Sequence, residues 1–413
     1  MRRLAVATTC VVTATVCLGL SGAVALPSTA WRVTMTSRTS GTPNAIACDI
    51  GRGCLVVGAL DPATVHSSFR QPYIRALTCA PSGCVGVGSR LATTLGAWRR
   101  TGVRWLGMPF HPVVTGLYQG SLISLACASS GDCLAVGDID AHTHVDCAPN
   151  SVNPGVCETI VPVLERWDGS AWTQQSAVPV PVVANLAVPV GSQQGYSALD
   201  AVSCADARWC VAVGHVGSTS VGGPGLVLGP DFADTWSGAH WRMTILPTPG
   251  GTNPELASIS CASSRLCVAV GSVRANGVPE PYAAEETDGV WSDVSPTIAG
   301  AALLSSVSCA PNGACAAVGY RGTGVGRRPL VERWQANRWT AETVQVPPGS
   351  RQHGGSLLLS VSCTAAPAGH HAPAGLGGCA AVGDYERQTR RLRLNVAWFV
   401  ESLGPALPLQ ISS

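Results

Sequence analysis

The chain of 413 residues carries 26 basic and 24 acidic side chains, a formal net charge of +2, and charged residues make up only 12% of it. So weak a field excludes nucleic acid and an anionic membrane surface as electrostatic partners. Length alone would suit two or three domains, a reading that internal repeats overrule.

The N-terminus reads as an export signal. Arg2 and Arg3 supply positive charge, Leu4 to Leu20 is apolar, and Ala23-Val24-Ala25 is a small-x-small cleavage site. The expectation is a signal peptide over residues 1–25, with a retained anchor helix as the alternative. No lipid-attachment motif fits, because Cys17 follows Ala14-Thr15-Val16, and no later segment is long and apolar enough to span a membrane. Of 18 cysteines, removal of Cys10 and Cys17 leaves sixteen, an even set suited to disulfides in an oxidising compartment.

Residues 26–413 are organised by seven cysteine pairs: Cys48/Cys54, Cys79/Cys84, Cys127/Cys133, Cys204/Cys210, Cys261/Cys267, Cys309/Cys315 and Cys363/Cys379. The clearest copies read Leu199-x-x-Val202-Ser203-Cys204, Leu256-x-x-Ile259-Ser260-Cys261, Leu304-x-x-Val307-Ser308-Cys309 and Leu358-x-x-Val361-Ser362-Cys363. A short apolar run follows each second cysteine and stops at a glycine four residues on: Gly58, Gly88, Gly137, Gly214, Gly271, Gly319 and Gly383. Two short apolar runs around a small polar turn predict a β-hairpin, here flanked by a disulfide. Zinc is the competing reading of paired cysteines, but the short ligand spacing occurs only at Cys79/Cys84 and no repeated histidine completes a site.

A second hairpin follows in most copies, marked by Trp98/Trp105, Trp167/Trp172, Trp236/Trp241 and Trp334/Trp339, with Thr287/Trp291 as a degenerate version. Recurrence in register makes these tryptophans packing between neighbouring sheets in preference to carbohydrate platforms. Each unit then holds strands A to D over about 55 residues, which predicts one all-β domain, a seven-bladed β-propeller of four-stranded antiparallel blades. Six blades plus a remnant is the alternative, since the Cys48 copy is short and lacks the tryptophan pair. Trp31-Arg32-Val33-Thr34-Met35 resembles the D strand Trp241-Arg242-Met243-Thr244-Ile245, so the N-terminal strand is expected to close the last blade.

The Val-Ser-Cys…Cys-Val-Ala-Val-Gly repeat with its Trp-Asp-Gly-x-x-Trp hairpin resembles exported bacterial β-propeller proteins, and more distantly the kelch and galactose-oxidase-like class. The resemblance implies the fold and no activity, because no sialidase-type Asp-box and no kelch glycine doublet is present to carry residues across.

Strand order puts the A–B and C–D turns on one face of the disc and the B–C and D–A connections on the other. The longest insertions, at about Asp138 to Pro162, His215 to Phe232 and Val178 to Ser197, fall on that second face, where function is expected. In the first, Asp138, Asp140, His142, His144 and Asp146 alternate along the chain, so an extended strand would point all five to one side, an array able to hold a divalent metal. A solvated polar strand is the other reading of these residues, and Cys147/Cys157 are expected to close the loop. Glu165, Glu285, Glu332 and Asp234 recur two residues before the first tryptophan position, as a structural feature would. His370 and His371 lie in an insertion on the opposite face. The resulting expectation is a secreted, monomeric recognition or scaffold propeller, without cofactor, that binds an extracellular protein or glycan through the long-loop face. The alternative is a secreted glycoside hydrolase or polysaccharide lyase with its site at the mouth of the central channel.

Overall fold

In a computed structural model, residues 30–412 are described except 38–40, 50–52, 60–72, 81–82, 91–93, 112–118, 144–156, 176–178, 180–193, 220–225, 348–354, 365–377, 389–393 and 404–407. The signal peptide expected over 1–25 lies outside the described residues.

Seven blades form the ring. Blade 4 shows the pattern, with A at Gln194–Asp206, B at Trp209–Thr219, C at Leu226–Trp236 and D at Trp241–Ile245, all antiparallel. Blades 2, 3, 5 and 6 repeat it from A strands at Tyr73–Ala80, Gln119–Ser129, Thr252–Ser263 and Ala302–Cys309. Blade 7 takes A to C from Ser356–Cys363, Cys379–Gln388 and Leu394–Leu403, and its D strand is the N-terminal Arg32–Thr36, as expected. Among the described residues blade 1 is three-stranded: Thr42–Asp49 and Gly53–Ala59 are joined by the C-terminal Leu409–Ser412, which runs parallel to B in the place of a C strand. The ring is therefore seven-bladed, and both chain ends latch it.

Each A strand lies against the A strands of the two adjacent blades, so the A strands line the axis. The Ser-x-Ser-Cys run explains how they are joined. Ser203 Oγ accepts from Cys261 N at 2.9 Å, Ser260 from Cys309 N at 3.0 Å, Ser308 from Cys363 N at 3.0 Å and Ser362 from Cys48 N at 3.0 Å. The earlier serine does the same one turn of the pleat away, Ser258 accepting from Val307 N and Ser360 from Ile46 N. Seven apolar clusters fill the seven junctions, each built from the short apolar B strand of one blade and the apolar A-strand residues of the next, as Val211 and Val213 meet Leu256 and Ile259. Fully buried leucines such as Leu199, Leu256, Leu304 and Leu358 contribute about 1.5–3 kcal/mol each in apolar transfer.

The seven glycines face a bulge in strand A. Pairing slips by one residue at Leu199/Ala201 opposite Gly214, and likewise in the other blades. The bulged carbonyl then presses on the glycine: a Cβ on Gly214 would stand 2.1 Å from Ala198 O.

Of the eight expected disulfides, the seven of the repeat are present, each joining direct cross-strand partners within one hairpin. A bridge over so short a loop contributes roughly 2–3 kcal/mol in the chain-entropy model. Cys147 and the side chain of Cys157 lie outside the described residues.

Candidate functional site

The long-loop face is not built as the sequence reading drew it. Over the described residues 138–143, 157–162, 194–197, 215–219 and 226–232, the stretches expected to be loops are strand. In blade 3, B continues past Gly137 to Thr143 and pairs with C from Cys157, through Asp140↔Ile160 and Thr143↔Cys157. In blade 4, B continues past Gly214 to Thr219, paired with Leu226 on one side and Gln194 on the other. A parallel bridge, Ile160↔Tyr196, ties the two extensions together and merges the sheets of blades 3 and 4. Blade 6, by contrast, ends B two residues after Gly319, at Arg321. Blades 3 and 4 thus carry a joined pair of hairpins above the disc. The missed signal is β-propensity in both arms, Val-Gly-Ser-Thr against Leu-Val-Leu-Gly.

At the root of the blade 4 extension lies a buried polar cluster. His215 and Asp231 are direct cross-strand partners on B and C, while Asp200 is the bulge residue on A. His215 Nδ1 donates to Asp200 Oδ2 at 2.6 Å, and His215 is only 4% exposed. Burial alone would lower the imidazole pKa, but the bond to Asp200 and the charges of Asp200, Asp231 and Glu255 outweigh it and raise it. Asp231 is 1% exposed, neither of its carboxyl oxygens has a hydrogen-bond partner, and burial pushes its pKa up to about 8. Tyr282 of blade 5 packs in the same junction and donates its hydroxyl to Pro247 O at 2.7 Å. Sequence reasoning passed over this cluster because Asp200 and His215 sit inside repeats. Their signal is that blade 5 has Ala257 and Ser272 at the matching bulge and post-glycine positions.

Of the five residues read as a metal array, Asp138 is half-buried on strand B, paired with Ser121 and Pro162. Asp140 and His142 have their backbone on the same strand; their side chains, and all of His144 and Asp146, lie outside the described residues. Among the described residues no group of three or more His, Cys, Asp or Glu side chains is arranged for a metal ion. His370 and His371 also lie outside the described residues.

The recurrent acids are structural, with one correction. Glu165, Asp234 and Glu332 pair with the central alanine of their B strands, Ala135, Ala212 and Ala317, and Glu401 of blade 7 joins them opposite Ala381. Glu285 does not, because it pairs with Val268 and turns to the other side of its sheet, where Trp334 Nε1 donates to it at 3.0 Å. Glu286, not Thr287, stands opposite Trp291. Burial raises the pKa of Glu165, Asp234 and Glu332 to about 7 and of Glu401 to about 8. The tryptophans are packing residues: Trp98, Trp167, Trp172 and Trp334 are buried, and Trp167/Trp172 and Trp334/Trp339 meet at 5.9 and 5.1 Å between ring centroids.

No protein-family model and no curated protein matches the chain. Among solved structures it is similar to a protein of unknown function from Dyadobacter fermentans DSM 18053, at 10% identity over 91% of this chain and 98% of that one, TM-score 0.44. It is also similar to a subtype N11 neuraminidase-like protein of A/flat-faced bat/Peru/033/2010 (H18N11), at 8% identity over 92% and 96%, TM-score 0.42. A third is the six-bladed fucose-recognising lectin of Aleuria aurantia, at 11% identity over 80% and 94%, TM-score 0.37. Likeness at this level carries no ligand or activity across.

Proposed function

We propose that the protein is an exported recognition propeller that binds an extracellular protein or glycan through the joined hairpins of blades 3 and 4. The observation that carries this reading is a local departure from the repeat: blades 5 and 7 also continue strand B past its glycine, to Ala275 and Gln388, but among the described residues only blades 3 and 4 are tied into one sheet, by the Ile160↔Tyr196 bridge. A rigid, disulfide-stapled ring that carries a non-repeating element on one face suits recognition, because the scaffold holds the element without ordering cost on binding.

A hydrolase or lyase reading draws on one observation, the Asp200–His215 pair beside Asp231. Burial opposes it. At 4% and 1% exposure, His215 and Asp231 are closed off from a polymeric substrate, and the bond of His215 to Asp200 ties strands A and B at the base of the extension.

The test is binding of the full chain to a glycan array and to extracellular proteins, before and after residues 141–159 are replaced by a two-residue Asn-Gly turn. The proposal expects a specific ligand whose binding is lost in the shortened variant while the thermal midpoint stays within a few degrees. Binding that survives the shortening would place recognition elsewhere.

A further inference from the structure

The serine links between blades are not uniform. They run from blade 3 round to blade 1, but the described residues show none at the junctions of blades 1/2 and 2/3, where Ala45, Ala47, Ala76 and Thr78 stand in the serine positions. These two junctions differ in a second way. In blades 3, 4 and 6 the residue opposite the second cysteine is Trp167, Trp236 or Trp334, and in blades 5 and 7 it is Glu286 and Leu403. In blade 2 the register Val85↔Arg99 brings Arg100 beside Cys84 instead, and in blade 1 the C-terminal strand brings only Leu409 opposite Cys54.

Two clefts open at these two junctions, on the face opposite the joined hairpins. One, of about 320 Å³, lies between blades 2 and 3 and is lined by Arg99, Thr78, Ser129 and Ser130; the other, of about 210 Å³, lies between blades 1 and 2 and is lined by Arg100, Asp49 and Gln410. Successive residues of a strand point to opposite sides, so blade 2 sends one arginine into each cleft. Arg99 lies over the Trp167 ring at 5.6 Å, and Arg100 donates from Nη1 to Gln410 Oε1 at 3.0 Å while its buried Nε has no hydrogen-bond partner. Neither guanidinium has a carboxylate partner among the described residues, although Arg166, Arg265 and Arg333 each have one. A guanidinium fork left with donors to spare suits a planar or tetrahedral anionic group.

We propose that these paired clefts bind an acidic oligosaccharide, each taking one sugar residue whose carboxylate or sulfate meets Arg99 or Arg100. Each cleft is of the size of a sugar ring and sets its polar groups beside small apolar ones, Ala80, Cys84 and Val85 in the first and Ala80, Cys84 and Leu55 in the second, which suits the hydroxyls and the C–H face of one ring.

The test is calorimetric titration of the full oxidised chain with an oligogalacturonate, a sulfated heparin-type tetrasaccharide, a neutral oligosaccharide of equal length and an acidic peptide. The proposal expects binding of either or both acidic saccharides and of neither other probe. R99A and R100A should each weaken it at least tenfold, the double variant should abolish it, and Arg→Lys should recover only part of it. A thermal midpoint within a few degrees of the parent shows that the variants fold. No binding of either acidic saccharide, equal binding of the peptide, or affinity unchanged in the double variant would overturn the proposal. Shortening residues 141–159 leaves this binding intact, so the result is independent of the recognition face proposed above.

Discussion

A β-carbon on Gly319 would stand 1.9 Å from the carbonyl oxygen of Leu303, whereas one on Gly326 would meet nothing within 4 Å. Gly319→Ala must therefore push the bulged A strand of blade 6 away from B, while Gly326→Ala adds a methyl group to open space. Urea unfolding should show the first variant destabilised by roughly 3 kcal/mol or more and the second within about 0.5 kcal/mol of the parent. The same reasoning reads the serines. Ser308→Ala removes the acceptor for Cys363 N and should cost about 1 kcal/mol by the same measurement, more if that N–H stays dry. The spacing of glycine and serine was plain in the sequence, but its cause was not, because the bulge and the neighbouring blade that give these residues their partners are contacts across the fold. The acids show the same limit. Counting back from tryptophan grouped Glu285 with Glu165 and Glu332, and only the register, which slips by one in blade 5, separates them and adds Glu401.

Those buried acids also set a pH dependence. Glu165, Asp234 and Glu332 titrate at about 7 and Glu401 at about 8 when folded, against about 4 in an unfolded chain. Between these values the folded protein holds more protons than the unfolded one, so stability is greatest at the acid end of the window and declines as pH rises through 7 and 8. Denaturation midpoints measured from pH 4.5 to 9 should fall steadily. Glu401→Gln, which cannot ionise, should reduce that fall by roughly 1–3 kcal/mol at pH 9; a midpoint that rises with pH would show that these carboxyls are ionised inside the fold.

At the scale of elements, the two chain ends behave differently. The N-terminal strand was legible because Trp31 to Met35 repeats a D-strand pattern found inside the chain, and it pairs with Leu394–Leu403 as that pattern requires. The C-terminal Leu409–Ser412 has no counterpart, since it enters blade 1 parallel to Gly53–Ala59 in a slot that is antiparallel everywhere else. It covers an edge that would otherwise offer unpaired backbone groups, and Leu409 packs against the cluster of blades 1 and 7. Truncation after Leu403 should lower the thermal midpoint and produce dimers or larger species by light scattering, through pairing of bared blade 1 edges. A truncated protein that stays monomeric with an unchanged midpoint would show that this strand is not a latch. The extensions of blades 3 and 4 were read as loops for a related reason. Their strands alternate weakly and hold glycine and aspartate, and they become strands because five of them pair side by side above the disc.

For the whole molecule, the repeat did most of the work. Seven cysteine pairs, seven glycines and the paired tryptophans together dictate units too short to bury both faces alone, and a closed ring is the arrangement that gives every unit two neighbours. What the repeat leaves unsaid is where the units differ, and the two proposed binding regions both sit there: the joined hairpins of blades 3 and 4 on one face, and the arginine clefts flanking blade 2 on the other. All of this presumes that each unit is stapled to itself. Peptide mapping of the purified chain under non-reducing conditions tests that most directly. The ring requires Cys48–Cys54, Cys79–Cys84, Cys127–Cys133, Cys204–Cys210, Cys261–Cys267, Cys309–Cys315 and Cys363–Cys379 to be recovered as linked neighbours; bridges between different units, or free thiols at these positions, would contradict it.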